Sequence, residues 1–227
     1  MPQLYVSPEQ VMADKANYAR KGIAKGKDVV ALEYIDGIVF VAENLSATLN
    51  KIHEIYDRIA LAAVGMYPEI EPLRTTGIYQ CEIKGYAYSR EDVNAKWLAT
   101  LYSQQIGTVF RQIDTKPLEV ELLLAEVGDT PGENQIFHIS FDGSVWDERK
   151  IASIGGHAEE IRKFIQGIYE EGMPLEEAIK LAVKGIESIE NDKKLTCDNL
   201  EVAVLDRNKE RRKFKRIPKG KVAEILS

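Results

Sequence analysis

The sequence predicts an α+β protein built as a four-layer α-β-β-α sandwich. Three observations lead there. Two strand-rich blocks, 29–66 and 118–155, each contain an Asp-Gly turn between apolar runs. A pair of helical stretches follows each block. The strands of the first block are apolar almost without interruption, so they need cover on both faces, which a helix layer on one side and a second sheet on the other would supply.

Ser7-Pro8-Glu9-Gln10 opens the first element, with Ser as N-cap, Pro at the first helical position and Gln three residues after the cap. The helix is expected over 8–25. Val11, Met12, Lys15, Tyr18, Ala19 and Ile23 form a mixed stripe, and Gly22 and Gly26 bracket its end. Residues 1–6 precede the cap without periodicity and read as a mobile tail. Val29–Tyr34 and Ile38–Ala42 flank Ile35-Asp36-Gly37, a strong hairpin signal. A further strand is expected near Ile59–Met66. Helices are predicted over 68–83, weakly patterned, and 91–111, where Leu98, Leu101, Tyr102, Ile106, Val109 and Phe110 recur at three- and four-residue steps. Strands are expected at Leu118–Val127, Ile136–Phe141, Ser144–Trp146 and Ile151–Ile154, with Asp142-Gly143 as the second turn. Ile161, Phe164, Ile165, Ile168 and Tyr169 stripe one helix. Gly172-Met173-Pro174 ends it, and Leu175 to Ile186 forms the next. Strands at Leu200–Leu205 and Lys213–Ile217 and a short helix at 219–226 close the chain. No repeat, low-complexity segment or linker interrupts 1–227, which reads as one domain.

Composition narrows the function classes. The chain has 227 residues, 44% hydrophobic and 29% charged, and 36 acidic against 30 basic side chains give a net charge of -6. That profile is soluble and globular. No apolar run approaches the ~20 residues that span a bilayer, and Met-Pro-Gln-Leu-Tyr lacks the basic and apolar regions of a secretory signal. Cys81 and Cys197 make no disulfide framework and suggest a reducing cytoplasm. Three histidines and no Cys pair at ligand spacing argue against structural zinc. Overall acidity argues against nucleic acid as the main partner.

Local motifs are few. Gly155-Gly156 ends a strand before a helix and could cradle an anion, but a plain turn is the simpler reading. There is no Gly-rich dinucleotide or P-loop motif and no Gly-x-Ser-x-Gly elbow. His53-Glu54 resembles part of a metalloprotease motif, yet Asp57 stands where the second His belongs. Residues 206–221 hold nine Lys or Arg and two acidic residues, which leaves 21 basic and 34 acidic residues elsewhere, a net -13. Such a run could bind nucleic acid. A solvated strand facing acidic surface, in the same or a neighbouring subunit, is simpler, because no aromatic platform accompanies the charges apart from Phe214. Lys51 follows the polar stretch Asn44–Asn50 and precedes a hydrophobic strand; composition alone makes it a surface lysine.

The order of elements resembles the N-terminal-nucleophile hydrolase sandwich of the proteasome core particle, and specifically its α subunit of the actinobacterial type. The resemblance runs from about Tyr5 to Leu226. It rests on the joint order and spacing of Ser7-Pro8-Glu9-Gln10-Val11-Met12, Tyr18 to Ala24, Val41-Ala42-Glu43-Asn44, Lys51-Ile52 with Tyr56-Asp57-Arg58, Arg74 with Gly77-Ile78, Gly85-Tyr86-Ala87-Tyr88, Lys116-Pro117 with Glu119 to Leu122, and Leu200 to Asp206. Catalytic β subunits of this family use a mature N-terminal threonine as nucleophile and base in one residue. Here Lys27-Asp28 falls at that position and a helix precedes it, although the supporting carboxylate and lysine positions survive as Glu43 and Lys51.

The resemblance therefore implies a non-catalytic subunit with no cofactor and no metal. It would form seven-membered rings, stack on β subunits and dock an activator ATPase ring. The axial gate maps to Pro2, Gln3, Leu4, Tyr5, Val6 and Ser7, with Pro8 as anchor. The lysine that receives an activator's C-terminal carboxylate maps to Lys51, and Gly65 would lie near the pocket floor and leave room for a peptide main chain. The Tyr-Asp-Arg triplet of archaeal and eukaryotic gates is absent from the start of this chain; Tyr56-Asp57-Arg58 lies elsewhere. Two alternatives stand beside this reading. One is a hydrolase of the same fold with Ser7, Ser46 or Thr48 freed by processing. The other is a nucleic-acid-binding protein that uses 206–221.

Overall fold

The computed structural model describes residues 7–189 and 194–227. Helix α1 (Pro8–Ile23) leads into β1 (Val29–Tyr34), β2 (Gly37–Glu43), β3 (Ile52–Tyr56) and β4 (Ile59–Gly65). Helices α2 (Tyr67–Ala87) and α3 (Ala95–Arg111) follow, then β5 (Val120–Glu126), β6 (Gln135–Ile139), β7 (Val145–Glu148) and β8 (Ile151–Ile154). The chain ends in α4 (Ala158–Gln166), α5 (Leu175–Glu187), β9 (Leu200–Asp206), β10 (Phe214–Arg216) and α6 (Lys219–Leu226).

The strands make two antiparallel five-stranded sheets, ordered β10-β9-β2-β1-β8 and β3-β4-β5-β6-β7. Side-chain alternation divides the apolar residues into three cores. Val30, Leu32, Val39, Val41, Val202 and Val204 of the first sheet pack outward on Ile161 and Ile165 of α4, Ala182 and Ile186 of α5, and Val222 and Ile225 of α6. Leu61, Leu122 and Leu124 of the second sheet pack outward on Leu73 of α2 and Leu98, Tyr102 and Ile106 of α3. The inward faces meet through Val29, Ala31, Phe40, Ala42, Ala60, Ala62, Leu123, Ala125 and Ala203. This is the α-β-β-α order expected. Every residue of β2 is buried, which is why its sequence shows no alternation. Among the described residues no helix is long and apolar enough to cross a membrane.

Helix α1 belongs to neither helix layer. Its Ala19 and Ile23 enter the core between the sheets, so it closes one end of the sandwich. Lys15, buried at 8% exposure, donates through Nζ to the carbonyls of Phe110, at 3.1 Å, and Gln112 at the C-terminal end of α3. The amphipathic stripe of α1 is mixed because this lysine has an assigned partner inside.

Four boundaries differ from expectation. Helix α1 ends at Ile23 rather than residue 25, with Ala24 as C-cap. Helix α2 extends to Ala87 rather than 83, with its apolar residues spread around its circumference. The stretch beginning at 91 is two elements. Ser89 starts a short turn over Arg90–Asp92, and Asn94 then caps α3 by accepting the amide of Trp97 at 2.9 Å. The strand expected from Leu118 begins at Val120.

Candidate functional site

Lys51 sits at the entry to β3, at the end of a loop that closes on itself. Asn44 Nδ2 donates to the Leu49 carbonyl at 2.8 Å, and the amides of Ser46 and Leu49 donate to Asn44 Oδ1 and Ser46 Oγ, each at 2.9 Å. The loop is pinned to the first sheet by Glu201 of β9, 7% exposed. Its carboxylate accepts from Asn44 Nδ2 at 2.7 Å, the Lys51 amide at 2.8 Å and the Ile52 amide at 3.1 Å, and it also pairs with Arg216 of β10.

The Lys51 side chain turns inward. Its Nζ donates to the Lys27 carbonyl at 2.5 Å. Burial pulls the ammonium down to about 8 from an ordinary 10.5, against the opposing pull of Asp28, Glu43 and Glu201. Lys27 in turn pairs with the buried Glu43 at 3.2 Å. A cavity of about 180 Å³ opens over this group, lined by Gly26, Lys27, Asn44, Ser46, Leu49, Asn50, Lys51, Ala63, Gly65, Tyr67 and Ile70. The structure thus brings Lys51 and Gly65 to one cavity. Chemically it is a small, largely apolar recess with ammonium groups at its foot, suited to one anionic end group.

Gly65 owes its identity to something other than room for a ligand. Its φ is +131°, and a Cβ there would lie 1.8 Å from the Glu119 carbonyl oxygen. That oxygen accepts the Met66 amide at 3.0 Å. On the other side of the same residue, the Glu119 carboxylate fills the space beside Gly22 of α1, where a Cβ would meet Oε2 at 1.7 Å. Lys116 holds that carboxylate at 2.7 Å and also pairs with Glu69.

The other candidates are dispersed. Ser7 Oγ accepts the Gln10 amide at 3.2 Å as the cap of α1, and Pro8 begins the helix. Pro2, Gln3, Leu4, Tyr5 and Val6 lie outside the described residues. Ser46 shares the Lys51 cavity, but its Oγ is engaged by the amides of Leu49 and Thr48; neither Ser46 nor Thr48 leads into β1. At that position Asp28, 3% exposed, accepts the His157 amide at 3.0 Å and faces its Nδ1 at 3.2 Å. Gly155 packs against Asp28, so Gly155-Gly156 serves a tight strand-to-helix turn. No group of three or more metal-ligating side chains occurs among the described residues. Cys81 is buried and pushed up to about 12 by desolvation.

Several members of the basic run are bonded within the chain. Arg207 donates to the Gly128 carbonyl at 2.9 Å, Lys213 to that of Arg207 at 2.8 Å, Arg212 to Glu54 at 2.7 Å, and Arg216 to the Ile52 carbonyl at 2.7 Å. Glu201 and Glu119, which position the cavity, appear in the sequence reading only within the segments Leu200 to Asp206 and Glu119 to Leu122, with no site role. Their signal was a carboxylate within or beside an apolar strand.

Comparison with known proteins agrees with the fold. The family profile described as "Proteasome subunit" matches residues 23–205. A protein named "Proteasome subunit alpha" from Streptomyces coelicolor is 49% identical over 225 residues, covering 98% of this chain and 89% of that one. Proteins of the same name from Thermomonospora curvata and Frankia alni are each 48% identical, covering 98% and 100% of this chain and 96% and 97% of theirs.

Proposed function

The chain belongs to the proteasome subunit family, and from that premise we propose that it is a non-catalytic α subunit, one α-type domain, that forms the outer seven-membered ring of a cytoplasmic core particle. It stacks on β subunits, which carry the threonine active sites. Residues 2–7, anchored at Pro8, gate the axial pore. An activator ATPase ring docks by inserting a C-terminal carboxylate between subunits onto Lys51, above the floor at Gly65.

The observation that carries the docking role is the inward ammonium of Lys51 in a small apolar cavity. A desolvated ammonium binds a carboxylate more strongly than a surface lysine does, because water competes less. The contacts around Glu119 support a link to the gate, since this residue abuts both Gly65 and Gly22. Two features support the absence of catalysis. Lys27 and Asp28 carry no nucleophilic hydroxyl, and Asp28 is committed to His157.

The decisive experiment uses the assembled α–β particle. Lys51→Ala is expected to bring activator-stimulated protein degradation down to that particle's own unstimulated rate. Full stimulation in this variant, with an unchanged melting temperature as folding control, would overturn the docking assignment. Deletion of residues 2–7 is expected to raise unstimulated peptide hydrolysis severalfold, and an equal rate would refute the gate.

A further inference from the structure

Of the buried and half-buried lysines, Lys51 is the one whose charge is least supported. Lys15 donates to the carbonyls of Phe110 and Gln112, and Lys213 to those of Arg207 and Lys209. Lys27 pairs with Glu43 and Lys150 with Glu171. Lys84 stands over the face of Trp97, 4.1 Å from the ring centre, a placement that favours a cation. Each of these five therefore has two acceptors, a carboxylate or an aromatic face to hold its proton in place. Lys51 Nζ has a single neutral acceptor, the Lys27 carbonyl, and no ion-pair partner among the described residues.

The surroundings of Lys51 weaken its hold on the proton further. It lines a small, largely apolar cavity, which also gives a reagent a way in. Lys27 brings a second cation to the same recess. Asp28 before β1, Glu43 of β2 and Glu201 of β9 pull the other way, but none of them reaches pairing distance of the ammonium. An amine desolvated without a counter-charge, beside another cation, shifts toward its neutral and nucleophilic form. The pull to about 8 agrees with this geometry.

We propose that Lys51 is a nucleophilic amine, acylated by small acyl phosphates in preference to the solvated lysines. The acyl group is compact and apolar, as the recess is, and the phosphate end suits the Lys27 ammonium at its wall. The neutral nitrogen attacks the acyl carbon and forms a C–N bond. The C–O bond to phosphate breaks, and phosphate leaves with the electron pair. The surplus proton on nitrogen passes to solvent, and no oxidant or reductant is needed. Acylation replaces an ammonium with a neutral amide, so it would also switch off the carboxylate docking proposed above. That consequence rests on the docking reading; the reactivity does not.

The test uses the full chain and no activator, so its failure leaves the docking reading standing. The chain is treated with acetyl phosphate at pH 8, and the acetylation of each lysine is followed in time by peptide mass spectrometry. Lys96 and Lys215, exposed and without side-chain partners among the described residues, serve as the solvated reference. Lys51 is expected to react about tenfold faster than either. Its gain of roughly a hundredfold in neutral amine is partly offset, because a less basic nitrogen is a weaker nucleophile. The advantage should be gone by pH 10.5, where the reference lysines also lose their protons, and it should vanish in urea, where the cavity is lost. Acetylation of Lys51 at or below the rate of Lys96 and Lys215 at pH 8 would overturn the proposal. So would a preference that survives unfolding, because its cause would then lie in the local sequence and not in the cavity.

Discussion

The Lys51 cavity and a cleft of about 440 Å³ at the β10/β3 edge, lined by His53, Glu54, Arg74, Arg212, Phe214, Lys215 and Arg216, both carry cations, and Glu201 joins them by bonding Asn44 and Lys51 of one and Arg216 of the other. They differ in how their charge is held. In the cavity, Lys51 is desolvated, its amide is fixed by Glu201 and its ammonium by the Lys27 carbonyl. In the cleft, four cations crowd a wide opening, and Arg212 and Lys215 stand in solvent. A surface cation loses most of its interaction energy to water and salt, whereas a buried one keeps it. The number of charges therefore says little about which site binds one end group tightly. The cleft suits a broad, salt-sensitive contact, and the cavity a single carboxylate.

Removal of this joining carboxylate should disturb both regions most. Glu201→Ala leaves the amides of Lys51 and Ile52 without their acceptor and Arg216 with the Ile52 carbonyl but no carboxylate. The expected cost is about 3 kcal/mol, or roughly 10 °C in melting temperature for a chain of this size. Calorimetry would measure it. A shift below about 2 °C would show that the network is not structural.

pH should separate the two regions next. Lys51 is charged below a folded pKa of about 8 and, unfolded, below 10.5. Between these values the unfolded chain holds more protons, so this residue makes stability rise with pH across that window. Binding of a carboxylate-ended peptide should do the opposite, falling about tenfold per unit above pH 8 as the ammonium is lost. The arginines of the cleft keep their charge throughout. A peptide affinity that is flat from pH 7 to 10 would place the carboxylate elsewhere.

The smallest effect should come from the cleft's exposed pair. Arg212→Ala breaks its bidentate contact with Glu54 at the surface and is expected to cost about 0.5 kcal/mol. Urea titration would check it, and a loss above 2 kcal/mol would erase the contrast between cleft and cavity.

The layers were legible in the sequence because strands buried on both faces write continuous apolar runs, as in β1 and β4, and because Ser7-Pro8 and the Asp-Gly turns announce themselves chemically. The start of α3 was not, since apolar spacing persists across the short turn that Ser89 begins. The position of Lys51 came from family resemblance alone. Its burial depends on Glu201, 150 residues away, and no local pattern encodes a partner so distant. Gly65 was expected on the ground of space, whereas its positive φ and the Glu119 carbonyl are what demand glycine.

Glu119 has one further consequence. Its main-chain oxygen stands 1.8 Å from where a Cβ on Gly65 would lie, and its carboxylate end occupies the space beside Gly22. The two contacts differ in stiffness. The carbonyl is main chain and cannot yield, whereas the carboxylate ends a side chain that can swing aside. A larger residue at position 65 would therefore displace backbone, and one at position 22 would first push the Glu119 side chain away from Lys116.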